Sequence, residues 1–189
     1  MGEHVELIGG VEKRIITMVD HDAAWLHSFE VERSRIDHAL SNVAHRVAHV
    51  GSTAVPGLSA KPIVDLQLSV SDVEEEGAYL PALESAGYVL RVRERGHRML
   101  RTPALDVHVH VCSIGSDWER RHLLFRDWLR ESDVDRARYA EVKVGLAKED
   151  WPSVNHYADA KSGVIEEITI RAEKWAATTG WSQANSAQD

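Results

Sequence analysis

Cysteine is nearly absent from this chain. Only Cys112 is present, so no disulfide can form within it. That excludes the stapled framework of a small secreted domain. Cys112 ends an apolar, strand-like run and reads as a small buried hydrophobe. Excess positive charge is missing too: 22 Lys and Arg stand against 30 Asp and Glu, a net −8. Non-specific binding to nucleic acid or to a membrane surface needs a cationic face. Neither is expected here, although a local basic pocket for a phosphate stays open. No apolar run approaches the ~20 residues of a membrane-crossing helix. The opening "MGEHVELIGG" lacks the basic region and apolar block of a signal peptide. Glu6 stands where a myristoylation motif wants Ser or Thr. The expected home is therefore the cytoplasm.

What is present suffices for a real core. The 189 residues are 43% hydrophobic and 28% charged, which suits one compact domain. Residues 1–15 read as a loose N-terminal lead-in with room for one edge strand. Residues 20–42 read as a helix, capped by Asp20 or Asp22, with Trp25, Phe29, Ile36 and Leu40 at helical spacing. "HRVAHV" (45–50) and "PIVDLQLSV" (62–70) read as strands, and period 2 puts Asp65 and Gln67 on one face. Residues 72–86 read as an acidic helix, weakened by Gly77 and Pro81 and stopped at Gly87. "YVLRVRER" and "HRMLRT" make a hairpin across Gly96. "LDVHVHVC" is the next strand, with Asp106, His108 and His110 on one side. Helices are expected over 117–130, 133–149 and 153–177, and then a frayed polar tail over 178–189. The fold class is α+β, one domain over 1–177 whose portion 117–177 is helical.

The stretch "HVGSTAVPGLSAKPIVDLQL" (49–68) carries the chemistry. A strand ends in Gly51-Ser52, and after twelve intervening residues Asp65 interrupts an apolar strand. Glycine lets backbone N–H groups approach a phosphate, and the serine hydroxyl can donate to it. A carboxylate nearby can hold the divalent metal that bridges phosphate oxygens. A buried Asp65 is costly unless paired or metal-bound, so the alternative is an ion pair with Arg98 or Arg101.

The arrangement resembles the nucleotidyltransferase superfamily of the polymerase-β kind, whose signature is Gly-Ser followed, after a short gap, by acid-x-acid. Here the second acid is replaced by Gln67. A closer likeness is to the GrpB family, which reads His-x-Gly-Ser-Thr-x-Val-Pro-Gly-Leu-x-x-Lys-Pro-x-x-Asp and has no firm second acid. "VDHDAAWLHSFEVE", "VHVHV", "LLFRDWLR", "YAEVK" and "YADAK" extend the similarity over roughly residues 17–175. The resemblance implies a nucleotidyltransferase-like mixed sheet with flanking helices and a C-terminal helical segment. It also implies kinship with domains joined to dephospho-CoA kinase.

Beside that likeness, each residue carries a functional and an ordinary reading. Gly51, Ser52 and Thr53 form a phosphate cradle or an ordinary turn. Lys61 is a phosphate contact or a solvated lysine. His108 and His110 can share a metal with Asp65, and Asp106 or His108 can fill the later acid position or act as base. Hydrogen-bonded, metal-free histidines are the alternative. His49 is placed to orient the turn. Tyr139 with Lys143, Tyr157 with Lys161, and Arg126 with Arg130 each have helical i,i+4 spacing. Together they suggest a basic wall facing Asp65. Glu30 and Glu32 read as surface residues, and Trp25, Trp128 and Trp175 as packing. The expected partner is a nucleotide or other phosphate-bearing small molecule. The expected cofactor is Mg²⁺ or Mn²⁺, with Zn²⁺ allowed by the histidines. The expected activity is nucleotidyl transfer to a small acceptor. A non-catalytic ligand-binding or accessory module and a His-x-His metal-dependent hydrolase are the alternatives.

Overall fold

The computed structural model describes residues 5–187. Six strands form one mixed sheet: β1 (Glu6–Leu7), β2 (His45–Val50), β3 (Val64–Val70), β4 (Val89–Glu94), β5 (His97–Arg101) and β6 (Val107–Ser113). The order across it is β1-β4-β5-β6-β3-β2. Only β3 and β6 run parallel; the other neighbours are antiparallel. The helices are α1 (Ala24–Ala39), α2 (Leu80–Ser85), α3 (Asp117–Glu131), α4 (Asp133–Leu146), α5 (Val154–Asp159), α6 (Ser162–Thr179) and α7 (Gln183–Ser186). This is the α+β class expected, a mixed sheet with flanking helices and a helical C-terminal segment. Among the described residues no helix is long and apolar enough to cross a membrane.

Alternation along β3 sorts its two faces. Val64, Leu66, Leu68 and Val70 are buried with Trp25, Phe29 and Ile36 of α1 in the main core. Burying such side chains is worth roughly 1.5–3 kcal/mol each, which pins the register. Asp65, Gln67 and Ser69 therefore face the other way. On that face β6 sets His108 opposite Asp65, His110 opposite Gln67 and Cys112 opposite Ser69. Cys112 is fully buried, as expected.

Several elements differ from their expected extent. Residues 72–79 turn rather than coil into a helix, because Glu74 and Glu76 reach back to Arg98, and Glu76 also to Arg93. A 3₁₀ turn at Glu76–Ala78 leads into α2, whose first turn holds Pro81. The helix expected over 153–177 is broken at Ala160 and Lys161 into α5 and α6. Glu32 is buried, not a surface residue, and accepts from the Tyr88 hydroxyl at 2.5 Å. The polar tail, expected to fray, packs through residue 187. Gly180 ends α6 in the left-handed conformation. Beyond it Trp181 donates to Asp127, and Ser186 and Ala187 are buried against α3 and β2. Residues 1–4 and 188–189, ends of the expected lead-in and tail, lie outside the described residues.

Candidate functional site

Strand β2 ends at Val50, directly across from Asp65. Gly51 then turns the chain at φ +70°, ψ −169°, a region open essentially to glycine alone. A Cβ there would also lie 2.5 Å from Asp65 Oδ2. The backbone and the carboxylate can approach this closely only without a side chain at residue 51. The following turn is held from behind. His49 Nε2 and Thr53 Oγ1 share a hydrogen bond of 3.0 Å, and the His49 ring stacks on Phe29. Burial lowers His49 to a pKa of about 4, which keeps it neutral. Arg126 donates to the His49 carbonyl and Arg130 to the Ala54 carbonyl. From α4, Lys143 Nζ donates to Ser52 Oγ at 2.8 Å and to the Ser59 carbonyl at 2.7 Å.

Asp65, His108 and His110 form the centre of the site. His108 Nδ1 lies 3.3 Å and His110 Nε2 3.6 Å from Asp65 Oδ1. One ligand atom from each lies within 4.8 Å of the others. Neither Arg98 nor Arg101 pairs with Asp65; they are engaged by Glu74 and Glu76, and by Glu12. A relay sets the imidazole tautomers. A carboxylate only accepts, so His97 Nδ1 donates to Glu94 Oε1 at 2.6 Å. Burial and nearby cations keep His97 neutral, with its pKa lowered to about 2. Its Nε2 therefore accepts from His110 Nδ1 at 3.1 Å. This leaves the His110 Nε2 lone pair aimed at a carboxylate oxygen. Two such atoms need a positive charge between them, a proton or a metal ion, and the relay is the usual outer support of a ligating histidine. Burial would raise the Asp65 pKa, but the two imidazoles outweigh it and hold the carboxyl below its ordinary range.

Three lysines close the opposite side. Lys143 and Lys161 lie over the rings of Tyr139 and Tyr157 at 4.7 and 4.9 Å, and Lys61 also lies over Tyr157. Burial and mutual repulsion lower Lys143 to about 7 and Lys161 to about 8. Burial lowers Lys61 as well, against the pull of Asp65. The cleft between, of about 330 Å³, is lined by Gly51, Ser52, Thr53, Lys61, Asp65, His108, His110, Tyr139, Lys143 and Lys161, among others.

Two expected site residues stand apart. Arg126 is 1% exposed, and its guanidinium is consumed by the His49 carbonyl, Asp127 and Ser186. It braces the turn and does not line the cleft. Asp106 sits in the turn before β6, accepting from Thr102 Oγ1 at 2.6 Å, and it belongs to neither the trio nor the cleft lining. The Thr53 hydroxyl lines the cleft but is shared with His49. Gln67 is 1% exposed, and neither amide atom has a hydrogen-bond partner. Sequence reasoning missed His97, Trp118 and His122. Their rings stack with His110 along the face of α3, Trp118 lying 3.6 Å from His122 and 4.2 Å from His97. The i,i+4 spacing of Trp118 and His122 was the one available signal.

Comparison with known proteins bears on this arrangement. A UPF0157 protein of Streptomyces coelicolor is 51% identical over 168 residues, 89% of this chain and 90% of that one. The crystal structure of the conserved protein GrpB from Enterococcus faecalis superposes with a TM-score of 0.73 at 30% identity. It covers 84% of this chain and 98% of that one. A dephospho-CoA kinase of Mycobacterium leprae is 28% identical over 87% of this chain, which spans only 48% of that protein. The family described as GrpB protein matches residues 15–171. This chain belongs to the GrpB family.

Proposed function

We propose that the cleft binds a nucleotide or other phosphate-bearing small molecule, and that it transfers a nucleotidyl group to a small acceptor. One observation carries this reading: a glycine turn, three lysines and the Asp65–His108–His110 trio face one another across a single cleft. Backbone N–H groups at Gly51 and Ser52 bind phosphate oxygens, with Thr53 shaping the turn. Lys61, Lys143 and Lys161 neutralise charge, and an anion relieves their crowding. Asp65, His108 and His110 are the residues that would hold a divalent ion. Their two imidazoles suit Mn²⁺ or Zn²⁺ better than Mg²⁺. Such an ion would offset the charge of bridging phosphate oxygens. In transfer the acceptor's oxygen or nitrogen bonds to the α-phosphorus, the bond to the β-phosphate oxygen breaks, and pyrophosphate leaves. His108 would be the third residue holding the ion, or would take the acceptor's proton.

A second reading has its own support. The family's missing acid falls at Gln67, which is buried, uncharged and unpaired. One metal without a second fits a non-catalytic binding module, and the partial similarity to dephospho-CoA kinase fits an accessory role. A metal-dependent hydrolase centred on the two histidines is the remaining alternative.

The test is thermal unfolding with ATP, GTP or CTP and Mg²⁺, Mn²⁺ or Zn²⁺, beside an assay for pyrophosphate and phosphate release. A ligand at about a hundred times its Kd should stabilise by roughly 2.7 kcal/mol. Asp65→Asn should remove the metal-dependent part of that shift while the protein stays folded. An unchanged shift in Asp65→Asn rejects the metal assignment. Binding without release of either product selects the non-catalytic module.

A further inference from the structure

Ser52 and Tyr139 are walls with space on both sides. One side is the polar cleft. The other is a separate cavity of about 670 Å³, lined by Phe125, Leu129, Tyr139, Ile165 and Ile170, with His122 among its walls. Its volume and apolar lining are those of a small-molecule site. Phe125 and Tyr139 meet edge to face at 5.3 Å, which leaves aromatic surface toward the space. Arg121, Glu166 and Glu173 edge it as well, and His122 is a polar group held in place there. Its Nδ1–H donates to the Trp118 carbonyl at 2.8 Å, and its ring lies 3.6 Å from that of Trp118. A half-turn of the ring would keep the stack but lose that hydrogen bond. Its Nε2 is therefore a fixed acceptor, and no partner satisfies it among the described residues.

We propose that this second cavity is the acceptor subsite, taking a flat aromatic body whose hydroxyl or amine donates a hydrogen bond to His122 Nε2. Gly51, Ser52 and Tyr139 line both spaces, so such a molecule lies against the group held in the polar cleft. The acceptor role rests on the nucleotidyl-transfer reading; the existence of the site does not.

The test uses three probes of one shape on the full chain: 2-phenylethanol, 2-phenylethylamine and propylbenzene, each titrated by NMR without nucleotide. The amides of Phe125, Ile165 and Ile170 should shift. The two donor-bearing probes should bind roughly two- to tenfold tighter than propylbenzene. His122→Phe keeps the stack on Trp118 and should erase that difference for the uncharged alcohol, while the cationic amine still answers to Glu166 and Glu173. Ile170→Trp, at a position 53% exposed and so tolerant of change, should weaken all three. Amide dispersion and Tm report that each variant is folded. No shift at the cavity in the wild type, or an undiminished preference for the alcohol in His122→Phe, overturns the proposal. Probe binding in a protein that ignores ATP, GTP and CTP alike leaves the site standing and removes the nucleotide reading. ATP binding with silent probes does the reverse.

Discussion

Gly51 shows how much one residue can decide. Its backbone conformation excludes a side chain, and the space a Cβ would need is already taken by Asp65. Gly51→Ala is expected to cost about 1–3 kcal/mol in urea unfolding, and to abolish ligand stabilisation as the carboxylate is displaced. Stability unchanged within error would show that the turn adapts. Lys143 makes a different prediction. Burial above all sets it near 7 in the folded chain against an ordinary 10.5, with Lys161 and Lys61 repelling its charge and Asp65 favouring it. Between those values the unfolded chain binds more protons, so this lysine makes stability rise with pH across the window. An anion raises its pKa again. Phosphate-ligand binding at pH 8 should therefore take up protons, and affinity should fall toward pH 9.5. Calorimetry in two buffers of different ionisation enthalpy measures the uptake; zero uptake would place the anion away from Lys143.

Between elements, the C-terminal segment and α3 act as a brace for the Gly51 turn. Ser116 caps α3 by accepting from the Glu119 N–H. The fully buried Glu119 pairs with Arg46 and is met by Gln183 of α7. Ser186 gives Arg126 two of its partners, and Arg126 in turn holds the His49 carbonyl. Truncation after Gly180 should lower stability by about 2–5 kcal/mol, because a buried guanidinium and a buried carboxylate lose partners. It should also weaken phosphate-ligand affinity through the loosened turn. Denaturant unfolding and calorimetry on the truncated chain check both, and an unchanged midpoint would mean the tail only rests on the surface. Helical periodicity made α1, α3 and α4 legible in sequence, since one face of each is apolar. It could not show the break between α5 and α6. Lys161 is drawn to Tyr157 across that break, a contact with the same i,i+4 spacing an unbroken helix would have.

For the whole molecule, the cleft lies where the sheet meets the helical half. Asp65, His108 and His110 come from β3 and β6, and Lys143, Tyr157 and Lys161 from the helical side. The main core under the sheet shares only Ala60 with the cleft lining among the described residues. A bound phosphate ligand should therefore slow hydrogen exchange in α4 and α5 by tenfold or more, while β3 amides exchange as before. Equal slowing everywhere would point to global stabilisation instead.

The sequence by itself determined the strands, the helix faces and the meeting of Gly51, Ser52 and Asp65. Each follows from a local rule: period 2 puts apolar side chains on one sheet face and Asp65 on the other, and glycine ends a strand where the backbone must turn sharply. His108 and His110 were legible for the same reason. Tertiary structure alone decided which charged groups reach the cleft. Arg126 and Lys143 both lie on helices of the same half and carry the same charge, but Arg126 is spent on carbonyls and Asp127 behind the turn while Lys143 emerges at Ser52. Asp106 alternates in phase with His108, but the chain has not yet entered β6 there and Thr102 claims its carboxylate. The His97–His110 relay and the cavity beside His122 join residues brought together by strand pairing and by the docking of α3. Nothing in linear spacing encodes that contact, because it depends on how a helix seats on a sheet face.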